Sequence, residues 1–314
     1  MKKILLFILA VMLLLPCLGL GETVATSFYP IWLLARNLTE GIEGIEVVNL
    51  AAPDTGCLHD YQLQTRDMKT LSEADLFLIN GAGMESYLET VFSALPELPV
   101  ISAAEGIPLL YGLDALEIGE HEHEAEQEEE KEEAHDPIHG SAPNAHIWLS
   151  AANAAAMAGN LARGMAERMP QHAEALEANL ARMTERLTAL DAQLKEGLAK
   201  LPRKQIITFH EAFPYFAQAY GLEVAAVVNR EPGETLTPAQ MAELIEAVRA
   251  LGNPPLFVEP QYEDLSARIL AAETGAPVYT LDPVVTGPEE NPPADYYEQV
   301  MLENMRVLQE ALGQ

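Results

Sequence analysis

The amino-acid sequence predicts an α/β protein of two lobes, each a mostly parallel sheet flanked by helices, joined by one long helix. Two observations support this fold class. Short apolar runs rich in β-branched residues alternate with helical patterns in two separate regions of the chain, which is typical of parallel sheets. Between these regions lies a single stripe of apolar side chains at helical spacing. The 314 residues, 49% of them hydrophobic, are enough for a sizeable core, so global disorder is excluded.

The chain opens with a predicted secretory signal peptide, residues 1–21. Two lysines precede the apolar run Ile4–Leu15. This run is too short for a membrane-spanning helix, which needs roughly 20 residues. Two processing sites remain open: Gly19-Leu20-Gly21 suits a conventional signal peptidase, whereas the residues up to Cys17 resemble a lipobox, in which Cys17 would be lipidated. In both cases we expect the mature protein outside the cytoplasmic membrane, either periplasmic or tethered to the outer face of the membrane.

The N-terminal α/β lobe is predicted to span residues 22–168. Within it the composition changes abruptly, because residues 117–136 hold eleven acids and three histidines and cannot bury a core. We therefore predict a His/Glu-rich loop at 117–140. The strands of this lobe are expected at Thr23–Phe28, Glu46–Leu50, Ala74–Asn80 and Leu98–Ser102.

The four histidines of this loop are candidates for auxiliary metal contact. Together with the neighbouring carboxylates they would hold zinc weakly and transiently near a cleft. The alternative is a solvated charged linker that keeps the protein soluble. These histidines are His121, His123, His135 and His139.

A linking helix is predicted over residues 169–201, followed by a C-terminal α/β lobe at 202–314. Pro202 ends the helix. The helix either packs along the protein's own lobes or forms a coiled-coil dimer. The stripe is short for a coiled coil, so a monomer is expected. The stripe residues, spaced three or four apart, are Leu176, Leu180, Met183, Leu187, Leu190, Leu194 and Leu198.

The C-terminal lobe shows the same alternation of strands and helices, without a close repeat of residue identity. Its strands are predicted at Gln205–Phe209, Glu223–Val228, Leu256–Glu259 and Val278–Leu281. Its helices are predicted at Glu211–Tyr220, Pro238–Leu251, Tyr262–Thr274 and Tyr296–Leu312.

Charge and cysteine content exclude two classes of protein. The formal net charge of −30 gives a surface that repels phosphate backbones, so nucleic acid is excluded as a partner. The two cysteines are too few for a disulfide scaffold.

Three of the eight histidines, with one aspartate, form a candidate metal site. His210 and Asp282 directly follow predicted strands of the second lobe, where ligands bind in open α/β sheets. His59 follows the second predicted strand of the first lobe, and His146 comes just after the acidic loop. Two candidates from each lobe would meet in one cleft, where three imidazoles and a carboxylate suit a borderline divalent ion such as zinc. The alternative for each histidine is an ordinary hydrogen-bonded residue.

Several short motifs follow one another in a fixed order along the chain. They are Ala25–Pro30, Gly56–Tyr61, Leu71–Leu76, Asn80–Glu85, His146–Leu149, Phe209–Phe213, Glu259–Gln261 and Leu281–Pro283. Each motif is weak alone, but the ordered set, with the long helix, resembles the zinc-binding solute-binding proteins of ABC importers, within the zinc and manganese group. The resemblance covers the chain from about Thr23 to its C-terminus.

The resemblance implies two lobes joined by one rigid helix, with a metal ion between them. It places the four ligands at His59, His146, His210 and Asp282. It also implies that the protein captures Zn²⁺ as a transported ligand outside the cytoplasm and delivers it to a membrane permease driven by a cytoplasmic ATPase. His210 stands where manganese-selective relatives have a glutamate, which favours zinc. A manganese-binding importer component and a metal-binding adhesin or scaffold of the same fold remain alternatives.

An enzyme is not expected. An extracytoplasmic zinc hydrolase would keep an open position on its zinc, which Asp282 as a fourth ligand would close. The sequence also contains no His-Glu-x-x-His pair. Glu211 and Glu259 are expected to be structural hydrogen-bonding groups rather than general bases.

Cys57 marks a departure from the family pattern. The family commonly has Asp-Pro before the first histidine, whereas this chain has Cys57-Leu58. Three roles are open for this thiol: an inert buried group, an accessory soft metal ligand, or an oxidation-prone group.

Overall fold

The computed structural model describes residues 21–52, 55–58, 61–112, 116–117, 142–228, 236–261 and 265–313. The strands within these residues are β1 (Glu22–Thr26), β2 (Ile45–Asn49), β3 (Leu76–Ile79), β4 (Val100–Ser102), β5 (Leu116–Glu117), β6 (Gln205–Thr208), β7 (Glu223–Val227), β8 (Leu256–Val258) and β9 (Val278–Thr280). The helices are α1 (Tyr29–Leu38), α2 (Thr65–Glu73), α3 (Leu88–Ala94), α4 (Ala151–Arg168), α5 (Ala173–Ala199), α6 (Pro214–Tyr220), α7 (Pro238–Ala250), α8 (Leu265–Thr274) and α9 (Tyr296–Leu312).

The strands form two separate sheets in which every strand pairing is parallel. The first sheet has the order β2-β1-β3-β4, and the second has the order β5-β7-β6-β8-β9. Without β5, both sheets place their strands in the same chain order: second, first, third, fourth. The predicted α/β fold class is confirmed, and all eight predicted strands are present to within two residues at each end.

Strand β5 was not predicted. Leu116 and Glu117 pair with Ala226 and Val227 of β7, so this short segment belongs to the second sheet. The predicted first lobe at residues 22–168 and the predicted loop from residue 117 do not include this pairing with the second sheet. A strand of two residues is too short to show an alternating pattern, which is why the sequence did not reveal it.

The helices of the second lobe follow the predicted order. Helix α6 starts three residues later than predicted, at Pro214, because a proline at the first helical position lacks only an N–H that would have no partner inside the helix. Helix α7 starts at Pro238 after a capping box, in which Thr237 and Gln240 bond each other's backbone N–H groups.

Helix α5 is the predicted long helix. It spans 27 residues and contacts α1 of the first lobe as well as α6 and α9 of the second. The Arg186 side chain joins the two lobes, because its Nε donates to Glu298 Oε1 of α9 (2.9 Å) and its Nη2 donates to Asn37 Oδ1 of α1 (2.6 Å). Six of the seven predicted stripe residues are buried; Leu180 is half-buried, and Asn179 is buried beside it.

The buried side chains of the described residues form two hydrophobic cores. The larger core runs from the first sheet through α4 and α5 to one face of the second sheet, where it includes Ile206 and Val224. The smaller core lies on the other face of the second sheet, where Ile207 packs with residues of α7 and α8 such as Leu244 and Leu270. Because successive strand residues point to opposite faces, Ile206 and Ile207 belong to different cores.

The predicted leader lies outside the described residues, so its cleavage site and the lipidation of Cys17 stay predictions. In the part of the chain that the structure describes, no helix combines the length and the apolar character needed to cross a membrane.

Candidate metal centre

His146 lies in a loop that enters the short 3-10 helix Ile147–Leu149, and its side chain is only 2% exposed. The Asn144 side-chain oxygen accepts from the His146 backbone N–H (3.0 Å) and lies 3.3 Å from the ring Nδ1. Since an amide oxygen can only accept, Nδ1 donates in this contact, and Nε2 is the ring nitrogen that Asn144 does not bond. The loop therefore fixes the His146 ring through Nδ1 and leaves Nε2 as the ring nitrogen that can bind a metal.

Hydrogen bonds fix the His146 loop to both lobes. The Asn80 amide of the first lobe donates to the Ala145 carbonyl (2.9 Å), and the Tyr215 hydroxyl of α6 donates to the Asn144 carbonyl (3.1 Å). The indole N–H of Trp148 donates to the Pro283 carbonyl (2.7 Å). The loop therefore lies at the junction of the lobes, and its backbone is held from both sides.

His210 lies beyond the carboxyl end of β6 and is also 2% exposed. Its Nδ1 lies 2.7 Å from Glu259 Oε1, and Glu259 itself follows β8, the neighbouring strand of the sheet. The second carboxylate oxygen of Glu259 accepts from the Gln261 amide (2.5 Å). A carboxylate on the far nitrogen of an imidazole fixes the ring and strengthens the other nitrogen as a metal ligand.

The two imidazoles meet edge to face, with their ring centroids 4.8 Å apart. Cys57 joins them, because its Sγ lies 3.4 Å from His146 Nε2. One ligand atom from each of Cys57, His146 and His210 lies within 4.8 Å of the other two. The Trp148 ring, 5.2 Å from the His146 ring, forms an apolar wall of the site. The arrangement brings nitrogen and sulfur ligands to one point at the lobe junction.

Asp282 lies at the same edge of the second sheet, just beyond β9, the strand next to β8. Its Oδ1 accepts from the Val284 backbone N–H (2.7 Å), and Asn304 bonds its backbone N–H and carbonyl (2.9 and 2.7 Å). Burial raises the pKa of Asp282 to about 6, and the nearby charge of Glu259 adds to this rise, while the bond from Val284 opposes it.

The structure brings only some of the predicted ligands together. It brings His146 and His210 together and sets Asp282 at the same sheet edge, although Asp282 is not one of the three residues whose ligand atoms lie within 4.8 Å. His59 lies outside the described residues, so its role stays a prediction. The same holds for the four loop histidines: His121, His123, His135 and His139.

The sequence did not indicate that Asn144 orients His146 or that Glu259 bonds to His210. Asn144 stands two positions before His146, and that spacing is a signal for a side chain that caps the histidine's own backbone. Glu259 was expected to be a structural hydrogen-bonding group, and its bond to His210 agrees with this. Its partner was not foreseen, because the order of the strands in the second sheet was not predicted.

Two parallel α/β lobes, joined by a long helix and holding a buried imidazole pair at their junction, define a metal-binding substrate-binding protein of the ABC-transporter type. The chain belongs to the ZnuA family, described as zinc-uptake complex component A periplasmic, whose family model matches residues 24–311.

Some relatives of this chain are named for zinc and others for manganese. The chain is 29% identical over 331 residues to the manganese ABC transporter substrate-binding lipoprotein PsaA of Streptococcus anginosus, with full coverage of both chains. It is 27% identical over 294 residues to the zinc-binding lipoprotein AdcA of Streptococcus pneumoniae, covering 93% of this chain and 56% of AdcA, so it spans about half of that protein. A crystal structure of ZnuA superposes with a TM-score of 0.73 at 25% identity and covers 93% of this chain and 99% of its own.

Proposed function

We propose that this protein captures Zn²⁺ outside the cytoplasmic membrane and delivers it to an ABC permease driven by a cytoplasmic ATPase. The observation that carries the proposal is the pair of buried imidazoles, His146 and His210, whose rings meet at the lobe junction. Asn144 and Glu259 hold the Nδ1 side of each ring. Each imidazole is thereby oriented in the way that metal-binding proteins orient their ligands.

The chemistry of this pair favours zinc over manganese. Imidazole nitrogen suits zinc, whereas manganese is bound mainly by carboxylates, carbonyls and water. The carboxylate of Glu259 is turned to His210 Nδ1 and to Gln261, so it orients the site rather than supplying a manganese ligand. Zinc selectivity is therefore part of the proposal. The alternative is a manganese importer component, because several relatives are named as manganese-binding lipoproteins.

The remaining parts of the proposal follow the family resemblance. His59 and Asp282 complete the ligand set, and the His/Glu-rich loop holds additional zinc weakly. The protein works as a monomer and is not an enzyme, because its bound ion is cargo. It acts either free in the periplasm or attached to the membrane through a lipid on Cys17.

The test is a direct comparison of metals. Protein purified without added metal should contain zinc, and calorimetry should show tighter binding of Zn²⁺ than of Mn²⁺. His210→Ala should weaken zinc binding at least about tenfold, since even loss of an orienting partner costs a site about 10–100-fold in affinity. His172→Ala is the matched control, because His172 directly precedes α5 and its Nε2 lies 3.3 Å from Glu22 Oε2, away from the site. Tighter manganese binding, or wild-type zinc affinity in His210→Ala, would overturn the proposal.

A further inference from the structure

We infer that Cys57 binds the captured ion directly through its Sγ, together with His146 and His210. The inference rests on the proposed function, since it assigns a further ligand to the same site. With the four ligands of the proposed function, Cys57 would give the ion five ligands, one of them sulfur, instead of a site built only from imidazole and carboxylate.

The distance between Cys57 and His146 fits two ligands of one ion. Zinc lies about 2.3 Å from a thiolate sulfur and about 2.0–2.1 Å from an imidazole nitrogen, so at ligand angles of about 90–120° the sulfur and nitrogen are about 3.1–3.8 Å apart. Cys57 Sγ and His146 Nε2 are 3.4 Å apart. The pair is therefore spaced for coordination without a backbone movement, and Nε2 is the nitrogen that Asn144 does not bond.

The chain around Cys57 holds the thiol in place. Gly56 has a φ of 82°, a left-handed conformation that side chains disfavour, so the turn leading into Cys57 suits glycine. Leu58, the next residue, is fully buried in the larger core, and its carbonyl accepts from the Tyr61 N–H (3.0 Å). Cys57 itself is partly exposed, so an incoming ion can reach it.

A thiolate ligand gives the site a physical basis for selectivity. Soft thiolates select zinc and similar ions, whereas manganese prefers hard oxygen ligands. Losing the sulfur of Cys57 should therefore weaken zinc binding more than manganese binding. Cys57, where the chain departs from the family pattern, would then increase the selectivity of the site for zinc over manganese.

Cobalt, which binds zinc sites and absorbs light, provides the test. Two full-length variants differ only in which thiol remains: Cys57→Ser removes the thiol of the site, and Cys17→Ser is the matched control that keeps it. Titration with Co²⁺ reports on two things. Visible ligand-field bands show that the ion occupies the site, and a near-ultraviolet band from sulfur-to-cobalt charge transfer shows a bound thiolate. We expect both signals in Cys17→Ser and only the visible bands in Cys57→Ser.

The outcomes separate the two claims. Visible bands without the sulfur band in Cys17→Ser would overturn the role of Cys57 and leave the proposed function intact. Failure of Cys17→Ser to bind either cobalt or zinc would overturn the proposed function itself. Calorimetry should show that Cys57→Ser lowers zinc affinity at least about tenfold and manganese affinity less, since loss of a ligand should cost no less than loss of an orienting partner.

A second measurement needs no change at Cys57. In Cys17→Ser, the only remaining thiol should react with an alkylating reagent when the protein is free of metal. Stoichiometric zinc should slow this reaction at least about tenfold, since the reactive thiolate is then bound to the ion. Equal alkylation rates with and without zinc, in protein that calorimetry shows to be loaded, would also overturn the inference.

Discussion

The two sides of the metal centre differ in charge and in origin. The side formed by His210, Glu259 and Asp282 is acidic, and its three residues follow β6, β8 and β9, which are neighbouring strands of one sheet. On the other side Asn144 orients His146, and the side chain of Cys57 lies beside it, without a carboxylate in these contacts. We call them the acidic side and, for this lack of a carboxylate, the neutral side.

This difference suggests that the two sides have different functions in metal binding. Strand ends hold side chains more precisely than loops do, so the acidic side supplies fixed negative charge that attracts and orients a cation. The neutral side is carried by loops and supplies an imidazole nitrogen and a polarisable sulfur. Charge alone would attract any divalent ion, so selection among ions falls to the nitrogen and sulfur ligands.

The largest effect on zinc affinity is expected from Asp282→Asn on the acidic side. The amide oxygen can still accept from Val284 N–H, but it is an uncharged and weaker ligand. We expect zinc binding to weaken by about 100-fold, the upper end of the loss seen for orienting partners, because a direct ligand is affected. Calorimetry at pH 7.5 measures this change, and an unchanged affinity would remove Asp282 from the site.

The same substitution should stabilise the metal-free protein. The pKa of Asp282 is raised from 3.8 to about 6 in the folded protein. The folded protein is therefore destabilised as the pH rises from about 3.8 through about 6 and Asp282 becomes charged. Asn carries no such cost and should gain up to about 3 kcal/mol at pH 7.5. Denaturant unfolding of metal-free protein tests this. A variant that loses both affinity and stability would indicate a misfolded site instead.

A smaller loss of affinity is expected from Glu259→Gln. The glutamine can still accept from His210 Nδ1, but it no longer strengthens the imidazole with a negative charge. Zinc affinity should fall by about tenfold, the lower end of such effects. Glu211→Gln is the matched control, because it makes the same substitution next to His210 without touching the bond to its ring. An equal loss in both variants would argue against an orienting role for Glu259.

Glu85, behind the neutral side, should affect stability without changing zinc affinity. It is buried, and its carboxylate accepts from the N–H groups of Asn80 (2.7 Å) and Gly81 (3.0 Å). Burial raises its pKa from 4.5 to about 7, so folding favours its neutral form. The metal-free protein should therefore lose about 3 kcal/mol of stability between pH 4.5 and pH 8 through this group alone.

The test for Glu85 is the slope of stability against pH, because Glu85→Gln also places an amide N–H against a backbone N–H and lowers stability at every pH. Denaturant unfolding at pH 5 and pH 8 should show a flatter dependence in the variant than in the wild type, with equal zinc affinity by calorimetry. Parallel slopes would mean that Glu85 is ionised normally in the folded protein.

The smallest effect on the tight site is expected from deleting residues 118–140. The deleted segment contains four histidines and most of the acidic run but none of the four predicted ligands. Weaker extra zinc binding should disappear, because the histidines and carboxylates predicted to hold it are removed. A zinc titration of the deletion protein decides: loss of the tight site would place a ligand in the loop, and unchanged total binding would make the loop a solvated linker.

The sequence predicts the strands and helices of this protein better than the contacts within its metal site. Strands such as Leu76–Ile79 consist of apolar residues, and α5 shows a long apolar stripe, so local patterns alone reveal them. The placement of His210 and Asp282 at strand ends follows from the same patterns. Helical spacing and strand alternation can each be recognised within one continuous segment of the sequence.

The contacts of the site are different, because each joins segments far apart in the chain. Cys57 meets His146 across 89 residues, and His210 meets Glu259 across 49. The first contact depends on how the lobes pack, and the second depends on β6 and β8 being neighbours in the sheet. Neither is encoded in a local pattern, which is why the role of Cys57 stayed open and the partner of Glu259 was missed.

The continuity of the larger core has a thermodynamic consequence. Because the first sheet, α4, α5 and one face of the second sheet share this core, they should unfold as one cooperative unit. An ion held at their junction stabilises that whole unit, by about 2.7 kcal/mol when free zinc is at 100 times its dissociation constant. Helices α7 and α8, packed on the smaller core, carry no predicted ligand. Capture of zinc should therefore slow hydrogen exchange throughout the shared core and leave exchange in α7 and α8 nearly unchanged.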